Sequence, residues 1–151
     1  MRLETRIPPP VIGLLTGAAM WGISTETPPL PAAPYLTIAA MVAAALGIIF
    51  DIAGIASFHR ARTTVNPLRP DASTSLVTSG IYRVTRNPMY VGMLLILVSW
   101  GLFLSSGWAL IGAVAFVLYM NRFQIAPEER ALSALFGDQY TTYTKRVRRW
   151  L

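Results

Sequence analysis

The chain contains no cysteine and a single histidine, His59. Without thiols it can form no disulfide, thiolate metal site or cysteine nucleophile. One imidazole argues equally against a histidine metal cluster and a catalytic triad. Charge is scarce too. Only 13% of the 151 residues are Asp, Glu, Lys or Arg and 54% are hydrophobic, whereas a soluble domain carries about a quarter charged residues. That balance excludes an ordinary cytosolic globule, and it also excludes disorder, which needs low hydrophobicity and high charge. Acidic residues are the scarcer sign, 7 against 13 basic, for a net charge of +6. In so apolar a chain the excess marks membrane orientation rather than nucleic-acid binding.

The apolar residues gather in four stretches, 7–23, 35–58, 88–104 and 108–120, each near the roughly 20 residues that cross a bilayer core. The first opens on three prolines, Pro8, Pro9 and Pro10, which suit a helix entry. It is followed by a poor cleavage region, so it reads as a retained helix rather than a signal peptide. Ser105, Ser106 and Gly107 make a helical hairpin of the last two. All 13 basic residues fall before the first stretch, between the second and third, or after the fourth. The positive-inside rule then places both termini and the 59–87 loop on the cytoplasmic side of a plasma or inner membrane. The expected fold is a single all-α integral membrane domain of about four transmembrane helices, spanning 1–151. A cytoplasmic lid would consist of the 59–87 loop and short helices in the 121–151 tail.

Loops of that length tend to carry function. In the tail, Pro127, Glu128 and Glu129 suit a helix N-terminus and Gly137 a break. Asp138 would cap a second piece that aligns Tyr140, Tyr143 and Val147 on one face. Residues 76–92, LVTSGIYRVTRNPMYVG, combine a turn glycine at Gly80 with an Asn87-Pro88 helix start. A helix N-terminus beside Arg83 and Arg86 could hold a carboxylate or phosphate. The alternative is that the arginines are topological anchors and Tyr82 and Tyr90 interfacial aromatics.

The order of these residues resembles the isoprenylcysteine carboxyl methyltransferase and phospholipid methyltransferase superfamily of integral membrane enzymes. Its first signature is met by Leu76, Val77, Thr78, Gly80, Tyr82, Arg83, Arg86, Asn87, Pro88, Tyr90 and Gly92. Its second is met by Glu128, Glu129, Leu132, Phe136, Gly137, Tyr140, Tyr143 and Val147. Together they cover roughly the last half of the chain.

The resemblance implies methyl transfer from S-adenosylmethionine to a lipophilic or small hydrophobic acceptor. It implies a cofactor site made of Leu76, Val77, Tyr82, Asn87, Pro88, Met89, Tyr90, Glu128 and Glu129. Asn87 stands where better-known members carry histidine. Its amide hydrogen-bonds but does not titrate near neutrality, so a mechanism needing an imidazole base there does not apply. A sulfonium methyl is already activated; alignment and water exclusion are the main requirements, and neither cysteine nor metal is needed.

No residue identifies the acceptor, the atom methylated or the oligomeric state. Gly47 and Gly54 suit close helix packing within one chain or between chains. Asp51 and Arg122 are the candidate catalytic residues. Asp51, an acid inside the second span, is either functional or paired with an arginine such as Arg122. Arg122 is an acceptor-binding group or an anchor, and His59 a headgroup contact. Two other readings stay open: a small four-helix transporter using Asp51, and a membrane reductase of related fold using NADPH.

Overall fold

Proline sets the start of most helices, because its missing N–H falls where a helix has no acceptor to offer. The computed structural model describes residues 7–31, 33–61 and 75–151. These form α1 (Pro9–Glu26), α2 (Pro34–Arg60), α3 (Pro88–Phe103), α4 (Ile111–Met120) and α5 (Ala126–Arg146), with no strand among the described residues. A 3-10 turn, Gly80–Arg83, precedes α3. Helices α1, α2, α3 and α5 each carry proline in the first turn.

The four apolar stretches correspond to α1–α4 with shifted ends. The first runs on to Glu26, and the fourth becomes regular only at Ile111, because the chain turns through 104–110 with Ser105 at φ +48°. The tail is corrected in one respect. It does not begin as a separate helix: a π turn, Asn121–Ile125, carries α4 directly into α5. The break at Gly137 is present, with φ +49° inside α5.

Among the described residues α2 alone is long and apolar enough to cross a membrane by length and composition, at 27 residues and about 40 Å. Ile38, Met41, Ile49 and Ile52 along it are each more than half exposed, an apolar face that a protein surrounded by water rarely presents. Helix α3 is apolar but shorter, at 16 residues.

Helix α3 is central. On one side it meets α2 so closely that a Cβ on Gly47 would lie 2.8 Å from the Gly92 carbonyl oxygen and 2.9 Å from Ile96 Cγ1. A Cβ on Gly54 would lie 2.9 Å from Met89 Cγ. The two glycines thus serve packing within the chain. Ser99 Oγ donates to the Ala40 carbonyl across the same seam (2.7 Å). On the other side α1 and α4 close a core of Ile12, Met20, Tyr90, Leu97, Ala113, Phe116, Met120 and Ile125. There Trp100 Nε1 donates to the Gly17 carbonyl (3.0 Å). A leucine at Gly47 would have to part α2 from α3, so Gly47→Leu should lower stability by about 1–3 kcal/mol or more, read as a reduced Tm in detergent.

The two short connections meet at one end of the bundle. Leu30 N–H donates to the Ser105 carbonyl (2.5 Å), and the Thr27 and Ser106 hydroxyls lie 3.2 Å apart. The opposite end gathers the C-terminus of α2, the 3-10 turn, the start of α3, the π turn, α5 and the last residues of the chain. Every described lysine and arginine belongs to this second group of elements. Arg2, Arg6, Arg62, Arg69 and the 62–74 part of the expected lid lie outside the described residues.

Candidate functional site

The basic end is built around the 3-10 turn Gly80–Arg83 and the residues that lead from it into α3. Gly80, at φ +62°, enters the 3-10 turn, where a Cβ would lie 2.9 Å from Ser57 Oγ on α2. Both the backbone conformation and the space therefore favour glycine. The turn buries Tyr82, whose ring meets Phe58 edge-on at 5.4 Å. Tyr143 of α5 donates its hydroxyl to the Tyr82 carbonyl (2.7 Å). Residues 85–87 then run beside the C-terminus. Arg86 N–H donates to the Arg148 carbonyl (2.9 Å), while Thr85 Oγ1 (3.2 Å) and Asn87 Nδ2 (2.9 Å) both donate to the Arg149 carbonyl. Pro88 follows and α3 begins.

Here the two signatures join. The Tyr90 hydroxyl donates to Glu128 Oε1 at 2.6 Å. Glu129, the next residue, sits between two guanidinium groups: Arg86 Nη1 is 3.1 Å and Arg149 Nε 3.0 Å from its Oε1. The neighbouring carboxylates are therefore held differently. Glu129 is neutralised by arginines, whereas burial pushes the Glu128 carboxyl up to about 7, the hydrogen bond from Tyr90 draws it partly back, and the charge of Glu129 adds to the rise. Hydrogen bonding to Glu129 raises the Arg149 guanidinium, and burial raises the Tyr82 and Tyr143 hydroxyls. Beside the Glu129 clasp an open groove of about 620 Å³ is lined by Arg86, Glu129, Arg130, Tyr140, Thr141 and Thr144.

The expected cofactor residues divide into groups. Leu76 is half-buried and Val77 buried on the approach to the 3-10 turn. Tyr82, Tyr90, Glu128 and Glu129 cluster as described, and Asn87 spends one side-chain N–H on the C-terminus, leaving its amide oxygen as an acceptor. Pro88 and Met89 both lie against Gly54 of α2. Arg83 is exposed, and Arg86 holds a carboxylate of the chain itself. Asp51 faces α3 at Gly92, with Oδ1 buried and lacking a hydrogen-bond partner among the described residues. Of the two readings of Asp51, the pairing with Arg122 is not formed: Arg122 is exposed on the π turn, its guanidinium 5.4 Å from the Phe123 ring centroid. Asp51 faces into the α2–α3 seam, whereas Arg122 lies exposed on the turn that follows α4.

Several residues of the site carried no signal beforehand. Arg148 and Arg149 fall among the basic residues that follow the fourth apolar stretch, yet their carbonyls and the Arg149 side chain close the site. Gln124, fully buried on the π turn, donates Nε2 to the Ile7 carbonyl (2.6 Å) and ties the start of α1 to this end. Trp150 Nε1 donates to Asn121 Oδ1 (3.0 Å). The nearest thing to a signal was the placement of polar Asn121 and Gln124 directly after an apolar run.

The profile of the phospholipid methyltransferase family matches residues 35–139, a range that takes in α2, the 3-10 turn, α3, α4 and most of α5. Two Arabidopsis thaliana proteins, protein-S-isoprenylcysteine O-methyltransferases B and A, are 34% and 33% identical over 105 residues, 68% of this chain. The chain spans about half the length of these two relatives, 52%. An uncharacterized protein of Haemophilus influenzae is 49% identical over 63 residues, its whole length and 42% of this chain. No solved structure matches. With the family profile covering more than half of the chain, and both signatures brought to one end of the bundle, the chain belongs to the phospholipid methyltransferase family and is by family a methyltransferase.

Proposed function

We propose that this protein transfers a methyl group from S-adenosylmethionine to a lipophilic or small hydrophobic acceptor at the cytoplasmic face of a membrane. The observation that carries this reading is the union of the two signatures through the Tyr90–Glu128 hydrogen bond. It makes one site of segments nearly 40 residues apart.

The residues fit the group they would hold. S-adenosylmethionine presents an aromatic adenine whose faces stack on apolar surface, ribose hydroxyls, an ammonium and a cationic sulfur. Leu76 and Val77 offer apolar surface for the adenine, and Met89 offers apolar surface at the α2–α3 seam. Glu128, once ionised, is an acceptor for the ribose hydroxyls or the ammonium, and Tyr90 fixes which way its carboxylate faces. The Asn87 oxygen is a further acceptor. Glu129 is a positioning residue that fastens the C-terminus over the site through Arg86 and Arg149 and so helps exclude water. When bound, the cofactor supplies an activated methyl group, and the chain contributes alignment rather than a base or a metal.

The acceptor would reach this end from the bilayer and the cofactor from the cytosol. The bilayer is itself a partner. Four spans with both termini cytoplasmic account for the basic residues at one end, and nothing in this arrangement calls for nucleic acid. The absence of cysteine makes the topology easy to test, since any introduced thiol is the sole one. Gly107→Cys should react with a membrane-impermeant maleimide on intact cells, and Ala134→Cys only after permeabilisation. The opposite pattern contradicts the orientation.

The activity is tested by supplying methyl-labelled S-adenosylmethionine to the detergent-purified protein with extracted membrane lipids and, separately, with prenylcysteine compounds, the class named by the Arabidopsis relatives. Label in an organic-soluble product is expected. Retention of all label in the donor across both acceptor sets contradicts the reading.

A further inference from the structure

Asp51 lies on the seam between α2 and α3, and its surroundings are unusual for a carboxylate. Gly47 stands about one turn before it and Gly54 about one turn after, on the same face of α2. A Cβ on Gly92 would overlap the Asp51 carboxylate. The acid therefore occupies the space that a side chain at position 92 would fill, and Oδ1 is buried there with no hydrogen-bond partner among the described residues. Helix α3 has no basic residue at all, and the basic residues of α2, His59 and Arg60, are about two turns away. An acid left unpaired between apolar helices is costly, and such residues are retained where a ligand or ion completes them.

One turn nearer the basic end, the same seam is closed by Gly54 against Pro88 and Met89, two residues assigned above to the cofactor. A cation carried by a ligand held at Met89 would thus meet the Asp51 carboxylate at the membrane side of the site. The sulfonium is such a cation, and it is the part of the cofactor that must face an acceptor arriving from the bilayer.

We propose that Asp51 is the counter-charge for the cofactor's sulfonium. This rests on the S-adenosylmethionine reading and adds to it a division of labour. Glu128 serves features that the methyl donor shares with its demethylated product, while Asp51 senses the one charge that differs. In a low-dielectric seam that single charge weighs heavily. Once the sulfur is neutral the attraction is gone, and the product is held only by the shared contacts, which favours its exchange for fresh donor.

The test is calorimetric titration of the full detergent-purified chain with S-adenosylmethionine and with S-adenosylhomocysteine. Asp51→Asn, nearly the same shape without the charge, should weaken S-adenosylmethionine by about tenfold or more and leave S-adenosylhomocysteine within about twofold. Gly92→Ala, which pushes the carboxylate aside, should show the same selective loss. Binding of S-adenosylhomocysteine reports that each variant is folded; if Gly92→Ala loses it, Asp51→Asn alone decides. Equal weakening of both ligands by Asp51→Asn, or no weakening of S-adenosylmethionine, overturns the proposal while leaving the cofactor assignment intact. Binding of neither ligand to the unmodified protein overturns both.

Discussion

Glu128→Gln should weaken S-adenosylhomocysteine binding by about 10- to 100-fold at pH 8, the worth of a hydrogen bond to a charged partner. The same substitution should make the protein more stable at that pH. The two effects have one cause. Burial lifts the Glu128 carboxyl from 4.5 to about 7, so the folded chain favours the protonated acid and must hold a carboxylate at a cost when the pH is high. For an acid raised in this way, the stabilisation from the proton is complete below about 4.5 and is lost as pH rises through about 7. Glutamine imitates the protonated form and can still accept the hydrogen bond from Tyr90. At pH 8 the variant should therefore gain up to about 3 kcal/mol, and below pH 4.5 nothing. Thermal melts at pH 8 and pH 4 in detergent measure this. The unmodified protein should likewise bind S-adenosylhomocysteine more tightly at pH 8 than at pH 6, by about tenfold if ionised Glu128 is what the ligand needs. A gain in affinity from Glu128→Gln would show that the carboxylate faces no ligand.

The second large effect concerns the clasp. Glu129→Ala should cost about 2–3 kcal/mol, less than a fully buried pair because the Arg149 side chain is 39% exposed and the Glu129 side chain 21%. The variant leaves Arg86 and Arg149 together with no carboxylate between them. The backbone contacts of 85–87 with Arg148 and Arg149 then lose their anchor, so residues 147–151 should loosen. Trypsin reads this directly, since Arg148 and Arg149 are both cleavage points. The variant should be nicked at the C-terminus several times faster than the unmodified chain at equal protease. Arg149→Met, which leaves Arg148 as the cleavage point, should reproduce the faster nicking there with a smaller loss of stability, because Glu129 keeps Arg86. Unchanged proteolysis in both variants would mean that the C-terminus is held by other contacts, chiefly Trp150 on Asn121.

Some of this was legible from the residues alone. Proline at helix starts marks α1, α2, α3 and α5 because a missing N–H is tolerated there, and the positive-φ backbone falls at Gly80, a turn glycine, and at Gly137, a helix break. The pairing of the 76–92 segment with Glu128 and Glu129 followed from a resemblance, not from periodicity. What was not legible depends on three-dimensional partners. Glu128 and Glu129 are chemically identical neighbours, yet one meets a tyrosine and the other two arginines, and only the fold decides which. Arg149 looked like any other member of a basic tail. The continuity of α4 with α5 through Asn121–Ile125 was hidden because polar residues after an apolar run read as an exit from the bilayer rather than as a π turn. Asp51 stood out as an acid in an apolar stretch; of its two readings the pairing with Arg122 is not formed, and its neighbour is a glycine that makes room for it.

The central claim is that the joined signatures form a binding site for S-adenosylmethionine. Calorimetric titration of the detergent-purified protein with S-adenosylhomocysteine and with NADPH tests it most directly. Saturable binding of S-adenosylhomocysteine near one ligand per chain, with no heat from NADPH, is the result expected. Saturable binding of NADPH with none of S-adenosylhomocysteine would contradict it.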